Sequence, residues 1–276
     1  MSKQNIHYSS PEPPSLPPSL LLTICPFTAI LFPMKRIVPM FFLAVILFGL
    51  LQAPINGQTT EEILKEMIQA QGGKAAIEKI KDMTITGTIE VPHQGLSVSF
   101  MQYKKEPDKR RIEMKVMGAV QVQVFDGKKA WELDPHTGKA TEIPGKDAVD
   151  IKRGSLALVW ILNPRKYGIS LISKGRERID GKYYLVLEQV YSDGGQVTLY
   201  VDPDTYLTYM IKSTILDEMM VEVEAETFLS DYKSVKGYIM AHKMVSFLRG
   251  KEYMRIIYKK VKLNSGLRDH LFLMQH

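Results

Sequence analysis

Cysteine is nearly absent from this 276-residue chain: Cys25 is the only one. A lone thiol rules out an intramolecular disulfide framework. The bulky Ile24 before it argues against an acylation box. Metal-binding patterns are missing too. His93, His136, His242 and His270 are scattered singly, without zinc-ligand spacing or a His-Glu-x-x-His motif. Neither a Gly-x-Ser-x-Gly elbow, a phosphate-binding loop nor a dinucleotide fingerprint occurs. Asp202 and Asp204 flank Pro203 in a tight turn, where Asp is favoured by its own side-chain-to-backbone bonding. These absences predict a protein that is not an enzyme, with no metal and no cofactor. Long hydrophobic runs are lacking as well. Pro26 breaks the stretch from Leu20 to Phe32, and the stretch from Ile37 to Leu51 falls short of the roughly 18 to 20 residues of a membrane span.

The second apolar stretch has another meaning. Met34-Lys35-Arg36 precedes it and Gln52-Ala53-Pro54-Ile55-Asn56-Gly57-Gln58 follows it, the layout of a secretory signal peptide cut between Gly57 and Gln58. Residues 1–33 then read as an extension upstream of the natural start, 34–57 as the signal, and 58–276 as one mature domain. The alternative is a protein anchored to the membrane by an uncleaved N-terminal segment. Formal charge is +6. Three of the 36 basic and one of the 30 acidic residues precede residue 58, leaving a mild +4. That predicts no nucleic-acid partner. The basic cluster Lys104, Lys105, Lys109, Arg110 and Arg111 reads as a solvated hairpin.

Alternation dominates the remainder. From Met83 to Val91, Met83, Ile85, Ile89 and Val91 fall on one side, and Thr84, Thr86, Thr88 and Glu90 on the other. This is the pattern of an antiparallel sheet with one wet face. About ten or eleven such runs follow, joined by turns such as Asp126-Gly127, Asp180-Gly181 and Asp202-Pro203. So many strands must curl or split. The expected fold is mainly β with some α, an unclosed antiparallel barrel of about eleven strands with helices covering its concave opening.

Two segments break the alternation. Residues 59–81 read as a helix with a Thr59/Glu62 capping box, a stripe of Ile63, Leu64, Met67 and Ile68, and an interruption at Gly72-Gly73. Residues 146–167 are dense in apolar side chains and end at Asn163-Pro164. They read either as a lid over the cavity or as ordinary core.

Parity assigns an inward lining of Ile85, Ile89, Val98, Phe100, Ile112, Met114, Val122, Trp131 and Leu133, with Leu158, Trp160 and Leu162 supplied from above by the lid. The 15 methionines include Met83, Met114 and Met219 on faces read as inward. Thioethers suit flexible apolar ligands as well as plain cores.

Four stretches stand out: Gly72-Gly73-Lys74, Ile85-Thr86-Gly87-Thr88, Phe125-Asp126-Gly127-Lys128-Lys129-Ala130-Trp131, and Leu199-Tyr200-Val201-Asp202-Pro203-Asp204-Thr205-Tyr206-Leu207. In this order they resemble the LolA/LolB-like superfamily of outer-membrane lipoprotein-sorting proteins. The resemblance implies a monomeric periplasmic carrier that holds acyl chains of lipoproteins or lipids, taken from an inner-membrane donor and passed to an outer-membrane acceptor. It also implies a buried basic residue holding the lid shut, which no local pattern places. The alternative is a non-enzymatic envelope sensor or scaffold that binds a protein through the half-barrel.

Overall fold

The computed structural model describes residues 57–273, apart from 117, 136, 157, 218 and 220 and the side chain of Leu158. The expected upstream extension and nearly all of the signal segment lie outside the described residues. Helix α1 (Thr60–Ala70) and the short α2 (Lys74–Glu78) come first. Strands β1 (Asp82–Val91), β2 (Leu96–Lys105), β3 (Lys109–Val116), β4 (Ala119–Phe125), β5 (Ala130–Leu133) and β6 (Ala140–Ile143) follow. Then come α3 (Gly145–Ser155) and two 3-10 turns, Leu158–Leu162 and Pro164–Tyr167. Strands β7 (Ile169–Ile179), β8 (Lys182–Tyr191), β9 (Gln196–Val201), β10 (Thr208–Leu216), β11 (Glu222–Val235), β12 (Tyr238–Leu248) and β13 (Lys251–Leu263) complete the sheet. Among the described residues no helix is long and apolar enough to cross a membrane.

All thirteen strands form one antiparallel sheet in the order β6-β5-β4-β3-β2-β1-β13-β12-β11-β10-β9-β8-β7. Both halves are meanders, joined where β1 pairs with β13. The edges β6 and β7 remain unpaired with each other, so the barrel is open, as the alternation predicts. Among the described residues there are thirteen strands rather than about eleven. The one missed outright, β6, is only Ala140–Ile143, too short to show alternation.

The capping box at α1 is formed: Glu62 N–H donates to Thr59 Oγ1 at 3.2 Å and Thr59 N–H to Glu62 Oε2 at 2.8 Å. Ile63 and Met67 face inward and are buried. The helix is followed by Gln71 and then Gly72, whose φ of 105° favours glycine, and a Cβ there would strike the Gly237 carbonyl oxygen in the β11–β12 turn. Ile239 N–H donates to Gln71 O at 3.0 Å. This end of the helix is thereby seated on the rim of the sheet.

The main core lies on the inner face. Ile63, Met67 and Ile77 from the helices, and Ile80 just after them, pack with Met83, Ile85, Phe100, Ile112, Leu185, Leu187, Leu199, Val201 and Leu263 from the strands. Gly87 lets the sheet close up at this point, because a Cβ there would collide with Ile257 O and sit 2.8 Å from the Phe100 ring. Position 87 is also where the β1–β13 register shifts.

The outer face carries apolar clusters of its own. Val122, Val124 and Trp131 are buried there beneath Phe272, with Tyr103, Leu133, Leu267 and Leu271 around them. Asp82 directs this cover. Its carboxylate accepts from the N–H groups of Ser265 (2.6 Å), Gly266 (2.9 Å) and Leu267 (3.2 Å), turning the chain back over the sheet after β13. Met219, read as inward, is 73% exposed in the turn before β11.

Candidate functional site

The segment between β6 and β7 has a task set by topology. It leaves one free edge of the sheet and enters at the other, so residues 144–168 span the gap that pairing leaves open. Helix α3 buries Ile151 against Phe125 and Ala130. The first 3-10 turn buries Ile161 in the main core, with Val159, Trp160 and Leu162 packed half-buried against it.

Under this segment lies a cavity of about 440 Å3. Its walls bring together Ile85 and Ile89 of β1, Phe100 of β2, Ile112 and Met114 of β3, Met254, Ile256 and Tyr258 of β13, and Met240 of β12. Five residues expected in the lining, Ile85, Ile89, Phe100, Ile112 and Met114, thus meet in one wall. Val98 is the register partner of Ile89 and shares its face, buried but outside the cavity wall. Trp160 and Leu162 pack on the core beside the cavity instead of lining it, and the side chain of Leu158 lies outside the described residues.

Val122, Trp131 and Leu133 face the other way. Val122 stands opposite Glu113, whereas Gln123 stands opposite Ile112, so Gln123 points into the cavity and Val122 outward. Trp131 pairs with Val124 and Leu133 with Val122, which carries both to the outer face. The expectation failed because the C-terminal segment buries this outer patch. In β4 the apolar parity marks a second core, and the polar parity marks the cavity.

The same parity splits the basic hairpin, correcting its reading as a solvated one. Lys105, Lys109 and Arg111 point outward and hold the C-terminal segment. Lys105 Nζ donates to Leu267 O at 2.8 Å, Lys109 Nζ pairs with Asp269 Oδ1 at 2.7 Å, and Arg111 Nη1 donates to Leu271 O at 3.3 Å. Lys104 and Arg110 point inward and line the cavity. Lys104 Nζ donates to Gly154 O (3.2 Å) and Leu156 O (3.0 Å), the last carbonyls of α3, where a cation also complements the helix dipole. Burial and the neighbouring Arg110 lower the Lys104 ammonium to about 8, against a smaller upward pull from Glu106. Burial likewise lowers Arg110. Its Nε is buried without a hydrogen-bond partner. The sequence held a signal for both: Lys104 is two steps of two beyond Phe100, and Arg110 is one step before Ile112.

A second tie holds α3 to the far half of the sheet. Arg153 grips Asp193 in the β8–β9 turn through Nη2–Oδ1 at 2.6 Å and Nε–Oδ2 at 3.1 Å, and lies 5.2 Å from the Tyr191 ring centroid. Gly195 makes room for it, since a Cβ there would collide with the guanidinium. Among the described residues no cluster of three His, Cys, Asp or Glu side chains is arranged to hold a metal ion.

No family model matches the sequence, and no curated protein matches it. Solved structures do match. A DUF1329 family protein from Desulfovibrio piger is 15% identical, with a TM-score of 0.55 over 79% of this chain and 100% of its own. A LolA superfamily protein from Nitrosomonas europaea is 14% identical, with a TM-score of 0.55 over 78% and 98%. An outer membrane lipoprotein-sorting protein domain from Vibrio parahaemolyticus is 16% identical, with a TM-score of 0.53 over 75% and 94%. Together with the open sheet and its helical cover, these likenesses establish that the chain has the LolA-like fold.

Proposed function

We propose that the protein is a non-enzymatic carrier of acyl chains in the periplasm, exported by a signal peptide that ends at Gly57, and that it passes lipids or the acyl chains of lipoproteins from an inner-membrane donor toward an outer-membrane acceptor. The observation that carries this reading is the apolar cavity of about 440 Å3 beneath a segment that bridges two free sheet edges. Each buried methylene contributes about 0.8 kcal/mol of gross affinity, so no covalent chemistry is needed to hold a chain. Release requires the cover to move. Lys104 and Arg153 fasten α3 through a few polar contacts, and contacts of that kind exchange more readily than a packed core.

The test is protein purified from the periplasm without detergent, extracted and analysed by lipid mass spectrometry, followed by titration of the delipidated form with a fluorescent fatty acid. Stoichiometric lipid and saturable binding are expected. Protein that carries no lipid and binds no probe overturns the carrier reading. It would favour a scaffold that binds a partner strand at the free edge of β6 or β7, the kind of surface on which strand addition occurs.

A further inference from the structure

An acyl chain needs only apolar walls, yet this cavity holds two cations. Lys104 and Arg110 face each other across β2 and β3, and no carboxylate lines the cavity with them. Lys104 has an occupation in the folded protein, since it donates to two carbonyls of α3. Arg110 is less well provided for: among the described residues its buried Nε has no hydrogen-bond partner, and its guanidinium lies against Gly154, where a Cβ would come within 3.2 Å of Nη1. A buried donor that lacks an acceptor weakens the fold unless something completes it. The other polar side chains in the cavity wall, Gln102, Gln123 and Tyr258, carry no formal charge to neutralise it, and the Glu106 carboxylate, which pulls Lys104 upward, is not part of that wall.

We propose that the ligand is a single-chain amphiphile with an anionic head, a carboxylate or a phosphate, which Arg110 and Lys104 receive while the tail runs along Ile85, Ile89, Met114 and Ile256. Size agrees with one chain. A methylene has about the bulk of a water molecule, roughly 30 Å3, so a cavity of about 440 Å3 takes on the order of a dozen carbons. The geometry also links cargo to cover. Lys104 holds the end of α3, so an anionic head competes with Gly154 O and Leu156 O for the same ammonium and loosens the segment above it. This rests on the carrier reading and adds the chemistry of the head to it.

Displacement of a fluorescent probe from the delipidated protein by dodecanoate, dodecanol and inorganic phosphate tests the proposal. The wild type should bind dodecanoate at least about tenfold tighter than dodecanol, the scale of a charge-assisted bond, and should ignore inorganic phosphate. Arg110→Gln should lose most of that preference while still binding dodecanol, and Arg110→Lys should keep part of it. Equal affinity for the two amphiphiles in the wild type overturns the anionic head and leaves the carrier reading standing. Binding of neither overturns the carrier reading itself. Competition by phosphate as strong as by dodecanoate overturns the amphiphile in favour of a plain anion site. A preference that survives Arg110→Gln removes Arg110 from the site. The wild-type comparison decides the main point even if a variant misfolds.

Discussion

Lys104 on β2 stands directly opposite Arg110 on β3, and both side chains turn to the inner face beneath α3. Like charges across a strand pair repel, and burial withdraws the water that would screen them. The two share the strain unequally. Lys104 is relieved by the terminal carbonyls of α3, while Arg110 Nε stays unsatisfied. A wall with two neighbouring cations and an unpartnered donor is suited to a ligand that brings an opposite charge.

Lys104→Met should free α3. The substitution keeps most of the stem volume and removes the two bonds to Gly154 O and Leu156 O. Bonds to a charged donor contribute about 1.5–3 kcal/mol, so amide hydrogen exchange across 145–156 should speed up markedly while the strands keep their protection. Unchanged protection in α3 would show that Ile151 packing alone retains it.

The pH dependence of the same pair of proteins carries a sign. The Lys104 ammonium sits at about 8 in the folded protein and at 10.5 in the unfolded chain, lowered first by burial and then by Arg110, with Glu106 opposing. Between those values the unfolded chain binds more protons, so the Lys104 contribution to stability rises with pH. Denaturant unfolding of wild type and Lys104→Met should therefore shift in favour of the wild type from pH 8 to 10.5, and run parallel below pH 7. A gap that moves the other way would mean the ammonium is stabilised in the fold.

The fold was legible in the sequence because period two and turn chemistry are local properties. Met83, Ile85 and Ile89 announce an inner face, and Asp126-Gly127 or Asp202-Pro203 announce where strands reverse. The site was legible only where one face is apolar and the other polar, as at Ile112 and Met114. It failed at β4 and β5, where Val122, Trp131 and Leu133 serve an outer core made by residues more than a hundred positions away. No local pattern shows that Asp82 will turn residues 265–267 back over that patch. The inward cations were hidden for a related reason. Five basic residues around one hairpin look like a wet surface until parity sends Lys104 and Arg110 one way and Lys105, Lys109 and Arg111 the other.

Arg153 and Asp193 should form a salt-sensitive latch. Both are partly exposed, at 27% and 34% of side-chain surface, so a double-mutant cycle with Arg153→Met and Asp193→Asn should give a coupling of about 0.2–1 kcal/mol, falling as salt rises. The Asp193 carboxyl is held below the usual carboxylate range, chiefly by its bond to Arg153. Its contribution is therefore present above the ordinary value near 3.8 and lost as pH falls through the lowered one. Either single variant should raise the rate of probe entry into the cavity more than it lowers the unfolding midpoint. A loss confined to global stability would make the pair a rim contact without a gating role.

Phe272→Ala separates the two faces of the sheet. Phe272 is fully buried over Val122, Val124 and Trp131 on the side away from the cavity. Removing a buried aromatic ring generally costs about 3–5 kcal/mol, and the C-terminal segment is anchored independently by Asp82, Lys105 and Lys109. The midpoint of denaturant unfolding should fall accordingly, with intrinsic fluorescence reporting a wetter Trp131. Fatty-acid affinity, measured where the variant remains folded, should stay within about twofold of wild type, because distant sites with no shared partners combine nearly additively. The same truncation at Met114, in the cavity wall, should do the reverse and reduce affinity more than stability. If Phe272→Ala instead abolished binding while the sheet stayed folded, the outer cluster would be part of the ligand site, and the inward assignment of Gln123 in β4 would have to be abandoned.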